Sequence, residues 1–306
     1  MNVKDKAAPA NYDGTAESAI SRPQLIATLY LVGVLSGFAA SMVGSIRAQG
    51  LWHALAWAFG ISIVEVAATV VGVRLARQSS PTPLARLDYV AAAVFAFLIF
   101  GSYLAYLAYL TMNWPSVAGR AMTWTAVVGL AVYEMGRNRR CPTALAAASV
   151  FILLAGSVIW GRVVAQVFAG GMLLSWDAWL AAGLLNLLKG GGVERIANVI
   201  ITDHGSFIVS ASCSSLRNVL YGLLCWVTVA RALRPEWQRR DLLAALIVSG
   251  TVLGANTLRI SLVGLSEESY ERFHGMLAEN VFNLGLLLFT AAVAMGTSRQ
   301  AAPMAR

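Results

Sequence analysis

Runs of about twenty apolar residues recur along the chain with its charges gathered between them, and no other feature limits the fold so tightly. A helix needs roughly 20 residues to cross a hydrocarbon core of about 30 Å. Closed barrels are the other structure that satisfies its backbone in lipid, but barrel strands alternate polar and apolar over about ten residues. These runs do not alternate and are about twice that length. Composition agrees: 58% of the 306 residues are apolar and 12% charged, whereas soluble domains carry roughly 45–50% and about 25%.

The expected fold is an all-α polytopic membrane protein with about eight transmembrane helices, at about 24–44, 51–73, 88–110, 118–135, 144–162, 212–231, 242–265 and 276–296. Residues 1–22 read as a disordered cytoplasmic tail without the apolar core of a signal peptide. A five-helix membrane region follows over 23–162, an extracytoplasmic segment over 163–211, a three-helix region over 212–296 and a short cytoplasmic tail over 297–306.

Basic residues in short loops set orientation. Loop 231–241 carries Arg231, Arg234, Arg239 and Arg240, whereas 266–274 carries Glu267, Glu268 and Glu271 against Arg272. Both termini are therefore expected inside. The same rule accounts for the net charge of +8, which at 12% charged residues is no signature of a nucleic-acid-binding domain.

Segment 163–211 is too long for a simple connection, and long loops in compact proteins are usually functional. Residues 173–188 hold Trp176 and Trp179 beside a clustered apolar face, which suits a helix lying in the membrane interface. Lys189-Gly190-Gly191-Gly192 stops that helix. Residues 196–210 are rich in β-branched side chains around Asp203-His204-Gly205 and read as a β-hairpin leading into Cys213.

The three cysteines, Cys141, Cys213 and Cys225, are too few and too scattered for a disulfide framework. Cys225, between Leu224 and Trp226, is an apolar filler. Cys213 differs because it opens the sixth span at its outer end, while Arg259 lies near the outer end of the seventh and His274 precedes the eighth. Antiparallel spans would bring thiol, guanidinium and imidazole to one depth. The thiolate is the nucleophile, and a helix N-terminus with nearby cations stabilises it; Arg217, at i+4 from Cys213, is one such cation. His274 would take the thiol proton and return it to a leaving amine. Arg259 would face a developing oxyanion or the thiolate. His204, in the outer loop, is a lesser alternative as base.

Other readings stay open on these residues. Glu65, centred in the second span, is a candidate ion-pair partner for one of the arginines, and Glu65, Arg217 and Arg259 together would also suit the polar pathway of a transporter or channel. A non-catalytic subunit of a polysaccharide export assembly is a third reading. His53 and His204 have no second ligand at metal spacing, so neither a metal nor a cofactor is expected.

The stretch Val209-Ser210-Ala211-Ser212-Cys213-Ser214-Ser215-Leu216-Arg217 resembles the cysteine motif of the exosortase/archaeosortase family, an apolar strand followed by A-C-S-G-L-R. Asn256-Thr257-Leu258-Arg259-Ile260 is similar to its N-x-x-R-I motif, and His274-Gly275 to its histidine motif. Order and placement agree over roughly 180–296, and the first five spans carry no matching motif. The resemblance implies a membrane cysteine transpeptidase with Cys213, Arg259 and His274 as the catalytic set and Arg217 and Asn256 in support. It implies a multi-pass protein of the bacterial inner membrane with its active site facing the periplasm. It also implies exported protein substrates whose C-terminal signal is a short motif (Pro-Glu-Pro in bacteria), a transmembrane helix and a basic tail. Their acyl group would pass to an amine acceptor or to water. The family's glycine after Cys-Ser is Ser215 here, which would narrow the approach of a substrate backbone.

Overall fold

A computed structural model describes residues 20–49, 63–79, 82–112, 117–159, 172–210, 213–274 and 276–299. Among them lie ten helices: α1 (Arg22–Gln49), α2 (Ile63–Arg77), α3 (Arg86–Met112), α4 (Val117–Arg137), α5 (Pro142–Ile159), α6 (Met172–Lys189), α7 (Ser215–Leu233), α8 (Arg239–Val263), α9 (Glu267–His274) and α10 (Met276–Arg299). Three strands, β1 (Glu194–Ile196), β2 (Val199–Thr202) and β3 (Gly205–Ile208), stand between α6 and α7. Five helices, α3, α5, α7, α8 and α10, are long and apolar enough to cross a membrane. Helix α4 spreads Arg120, Glu134 and Arg137 over 21 residues and is not among those five. The first half of the expected second span, with His53, lies outside the described residues, as does the tail 1–19.

Two layers of contact build the bundle. Helix α5 packs on α2, α4 and α7, and α7 in turn on α8 and α10. Its core holds Tyr30 stacked on Phe151, ring centroids 3.9 Å apart, and the fully buried Trp124 and Trp226. The outside is apolar too: Phe97, Phe100, Leu246 and Leu288 are each more than 60% exposed. Water would not tolerate so much exposed hydrocarbon on a single chain, but a lipid solvent does.

Several charged residues buried inside the bundle are paired. Arg22, placed by sequence at the end of a tail, is instead the first residue of α1 and is buried. It donates to Asp88 on α3 at 2.8 Å and to Glu134 on α4 at 2.6 Å, and Tyr133 also donates to Asp88. The boundary shifts because a charged side chain with two buried acids in reach gains more from pairing than from hydration of a frayed end.

A second buried cluster closes the turn between α7 and α8. Asp241 accepts from Arg231 at 2.8 Å and from Arg234 at 2.7 Å, and forms a reciprocal capping box with Gln238. The Arg231 guanidinium also lies over the Trp237 ring, 4.3 Å from its centroid. This clamp fixes the register of the two helices at one end.

The element between α6 and α7 is a sheet of order β1-β2-β3, antiparallel throughout, with Asp203 and His204 as the tip between β2 and β3. It has one strand more than the two expected. Leu185, Ile200, Val209 and Ile260 make a small separate core that fastens this sheet to α6 and α8. Gly264, the C-cap of α8, lets the layers close: a Cβ there would lie 2.9 Å from the Phe207 ring. Residues 267–274, expected as a loop, form α9, because Ser266 caps the first turn by accepting from Ser269 N–H and Glu267 and Glu268 suit a helix N-terminus.

Candidate active site

The turn before α7 is the centre of the site. Cys213 is not yet in the helix; its N–H donates to the Ser210 carbonyl at 2.9 Å, which folds the chain back at the end of β3. The Ser210 hydroxyl donates to the Cys213 sulfur at 3.6 Å. Helix α7 starts two residues on, with Ser214 at the N-cap making no side-chain bond. The cap comes from another helix: Asp177 of α6 accepts the Ser215 N–H at 2.9 Å.

Asn256 of α8 secures the turn from the other side. Its amide donates to the Cys213 carbonyl at 2.8 Å and to the Ser215 hydroxyl at 2.9 Å, and it accepts from Asn218 at 2.9 Å. Buried amides need such partners, and here both donors and the carbonyl oxygen of the Asn256 side chain are engaged. Geometry explains why they meet. From Asp241 to Asn256 is about 22 Å of helix, and from Arg231 back to Asn218 about 20 Å, at 1.5 Å per residue. The clamp at one end of the hairpin thus levels the two asparagines at the other.

Cys213 and Arg259 line one cavity of about 470 Å³, walled by β3 and the residues after it on one side and by Ile260, Val263 and Tyr270 on the other. Arg259 lies just over one turn from the C-terminus of α8. Its guanidinium rests over the Phe282 ring of α10, 5.2 Å from the centroid. It also borders a second cavity of about 470 Å³ with Leu258, Arg272, Phe273 and Val281. The chemistry available is that of a thiol-bearing and a guanidinium-bearing residue lining one cavity, where a β-strand meets apolar helices.

The remaining predicted residues fare differently. His274 is the last residue of α9, one position after Phe273, and its side chain lies outside the described residues. Arg217 is exposed and does not line the cavity. The i+4 argument assumed that Cys213 is helical, but the helix begins at Ser215, so the two side chains do not share a helical face. His204 is exposed at the tip of the sheet, 3.5 Å from Asp203, at the far end of β3 from the thiol. Four residue steps of about 3.3 Å separate Gly205 from Val209, so His204 is out of proton-transfer reach. Glu65 stands in the first turn of α2 and does not line the cavity.

Ser215 does not project into the cavity either. It is buried, and its hydroxyl accepts from Asn256, so its side chain adds a hydrogen bond and does not narrow the cavity. Two contributors escaped the sequence reading. Tyr270 lines the thiol cavity, and Asp177 caps the helix that follows Cys213. Burial pushes the Asp177 carboxyl above the ordinary carboxylate range, with its hydrogen bond from Ser215 opposing the shift.

Comparison with family models, with curated proteins and with solved structures finds no match to this chain.

Proposed function

We propose that the chain is a membrane-embedded cysteine transpeptidase of the exosortase/archaeosortase type, acting on the C-terminal sorting signals of exported proteins. The observation that carries this reading is the shared cavity: the Cys213 thiol and the Arg259 guanidinium line the same space at the ends of two apolar helices. An exposed apolar strand beside them supplies room for a peptide. In this reading eight helices cross a bacterial inner membrane, both termini are cytoplasmic, and the cavity faces the periplasm. The arginine-rich turn between α7 and α8 then lies inside.

The reaction is acyl transfer. The Cys213 proton passes to His274, and the thiolate attacks a peptide carbonyl carbon just outside the substrate's membrane helix, forming a C–S bond. The carbonyl π pair moves to oxygen, and Arg259 stabilises that oxyanion. Collapse restores C=O and breaks C–N, with His274 returning the proton to the departing amine. The thioester is then attacked by an amine acceptor or by water, which releases the thiol. Asn256 and Asp177 act through the turn that aims the sulfur, as positioning residues.

The test is a Cys213→Ala variant in cells expressing an exported reporter that the wild-type chain processes, with a C-terminal short motif, membrane helix and basic tail. Loss of processing, with a hydroxylamine-labile adduct seen in wild type only, supports the reading. Processing at the wild-type rate ends it, and leaves the transporter and assembly-subunit readings to explain the chain.

A further inference from the structure

We propose that the free edge of β3 is the substrate-binding strand: an extended peptide adds to it as a fourth strand and is thereby delivered to the Cys213 thiol. The proposal rests on the peptidase reading and names how that site holds its substrate.

The sheet order β1-β2-β3 leaves β3 at an edge. Five consecutive residues, Ser206 to Ser210, line the thiol cavity. Successive side chains of a strand point to opposite faces, so five in a row border one space only if that space runs along the strand's edge. The backbone is then what it meets.

Pleat parity identifies the groups on offer. Val209 N–H donates to the Asn198 carbonyl at 2.8 Å, which makes this an inward-bonded pair in the register that joins Val199 to Ile208. Inward and outward positions alternate along an antiparallel strand. Phe207 and Gly205 therefore bond β2, and Ser206 and Ile208 turn their N–H and C=O groups to the open edge. Among the described residues no hydrogen bond engages those four groups.

Natural sheets blunt their edges with lysine, proline or covering elements. Strand β3, Gly-Ser-Phe-Ile, has neither lysine nor proline, and its Ile208 is 66% exposed. The opposite edge, β1, packs on α6 and is held there by Arg195 donating to Ser175 at 2.7 Å. Strand addition supplies main-chain affinity with little dependence on sequence, and alternate side chains supply selectivity. The paired peptide would run between β3 and the Arg259–Tyr270 wall toward the turn where Cys213 folds back.

Crosslinking and proline substitution test this in the full-length chain. A benzoylphenylalanine at Ile208 in the Cys213→Ala background should crosslink the uncleaved reporter on irradiation, and one at Ile196, exposed on β1, should not. Ile208→Pro or Ser206→Pro removes one outward N–H without touching the β2 ladder. Each should lower processing about tenfold, while alkylation of Cys213 by iodoacetamide keeps its wild-type rate. Wild-type processing in both proline variants, or equal crosslinking at Ile196 and Ile208, overturns strand addition while leaving the peptidase reading intact. Processing that survives Cys213→Ala overturns the peptidase reading instead. Should a proline variant lose alkylation as well, the crosslinking contrast decides.

Discussion

The Asn256 side-chain amide donates to the Cys213 backbone carbonyl at 2.8 Å, linking residues 43 apart in sequence. A bond to the cysteine's own backbone holds the turn that carries its sulfur. Asn256→Ala leaves that carbonyl, the Ser215 hydroxyl and the Asn218 amide without their partner, and should cost about 1–3 kcal/mol of stability. Reporter processing should fall further than the unfolded fraction explains. Melting in detergent alongside the processing rate checks both, and unimpaired processing would remove Asn256 from the site.

Asp177 accepts the Ser215 N–H at the positive end of α7. Asp177→Asn keeps an acceptor for that N–H but removes the charge, and stability reports the difference. The folded carboxyl has a raised pKa, so the folded state binds the proton more readily than the unfolded one. Stability from this group is full below the unfolded value and is lost as pH rises through the folded value. The wild-type chain should therefore weaken relative to Asp177→Asn on going from pH 4 to pH 8. Parallel melting curves across that range would refute the assignment.

Arg259 should tolerate no neutral substitute. Arg259→Gln is expected to slow processing about 10²–10³-fold if it faces the oxyanion, with Cys213 labelling still possible. Phe282→Leu removes the ring beneath the guanidinium and should have a small effect, about 0.5–1 kcal/mol. Equal rates for Arg259→Gln and wild type would take Arg259 out of the reaction.

Gly264→Val places atoms against Leu185 and the Phe207 ring. Overpacking of this kind should destabilise the outer layer by about 1–3 kcal/mol. Because Phe207 belongs to β3, processing should fall too, and Phe207→Leu in the same chain should restore part of it. Failure of that rescue would mean that the strand is not what Gly264 supports.

Arg22→Met should be among the most damaging single changes, about 3–5 kcal/mol, because it strands Asp88 and Glu134 in the core. Adding Asp88→Asn and Glu134→Gln should recover most of the loss. Expression and melting temperature report both steps.

Much of this was legible in the sequence, and the misses share a cause. Apolar runs mark the long helices because lipid imposes their length, and Cys213 and Arg259 stand out as polar groups at span ends, whereas Asn256 comes only from the motif resemblance. Asp177 did not stand out. An acid between two interfacial tryptophans reads as solvated, although its position beside Ala178 and Ala181 on a small-residue face was the available signal. The i+4 spacing that joins Arg217 to Cys213 runs across a helix start, so it does not put them on one face. Arg22, Arg231 and Arg234 were read as loop charges, but loops at a bundle's end are where acids and arginines can pair under cover. Sequence spacing reports neighbours on one element and is silent about those brought in by another.

The clamp at Asp241 has a consequence for how freely this protein can change. Asp241 and Asn256 are fixed points on one rod, and the outward stripe between them, Leu242, Leu246 and Leu253, touches neither. Those positions can drift to suit bilayers of other thickness or fluidity. Length cannot: one residue inserted between the two anchors would rotate Asn256 by about 100° and lift it about 1.5 Å, unhooking it from the cysteine turn. Descendants of this chain should vary there in spelling but never in count.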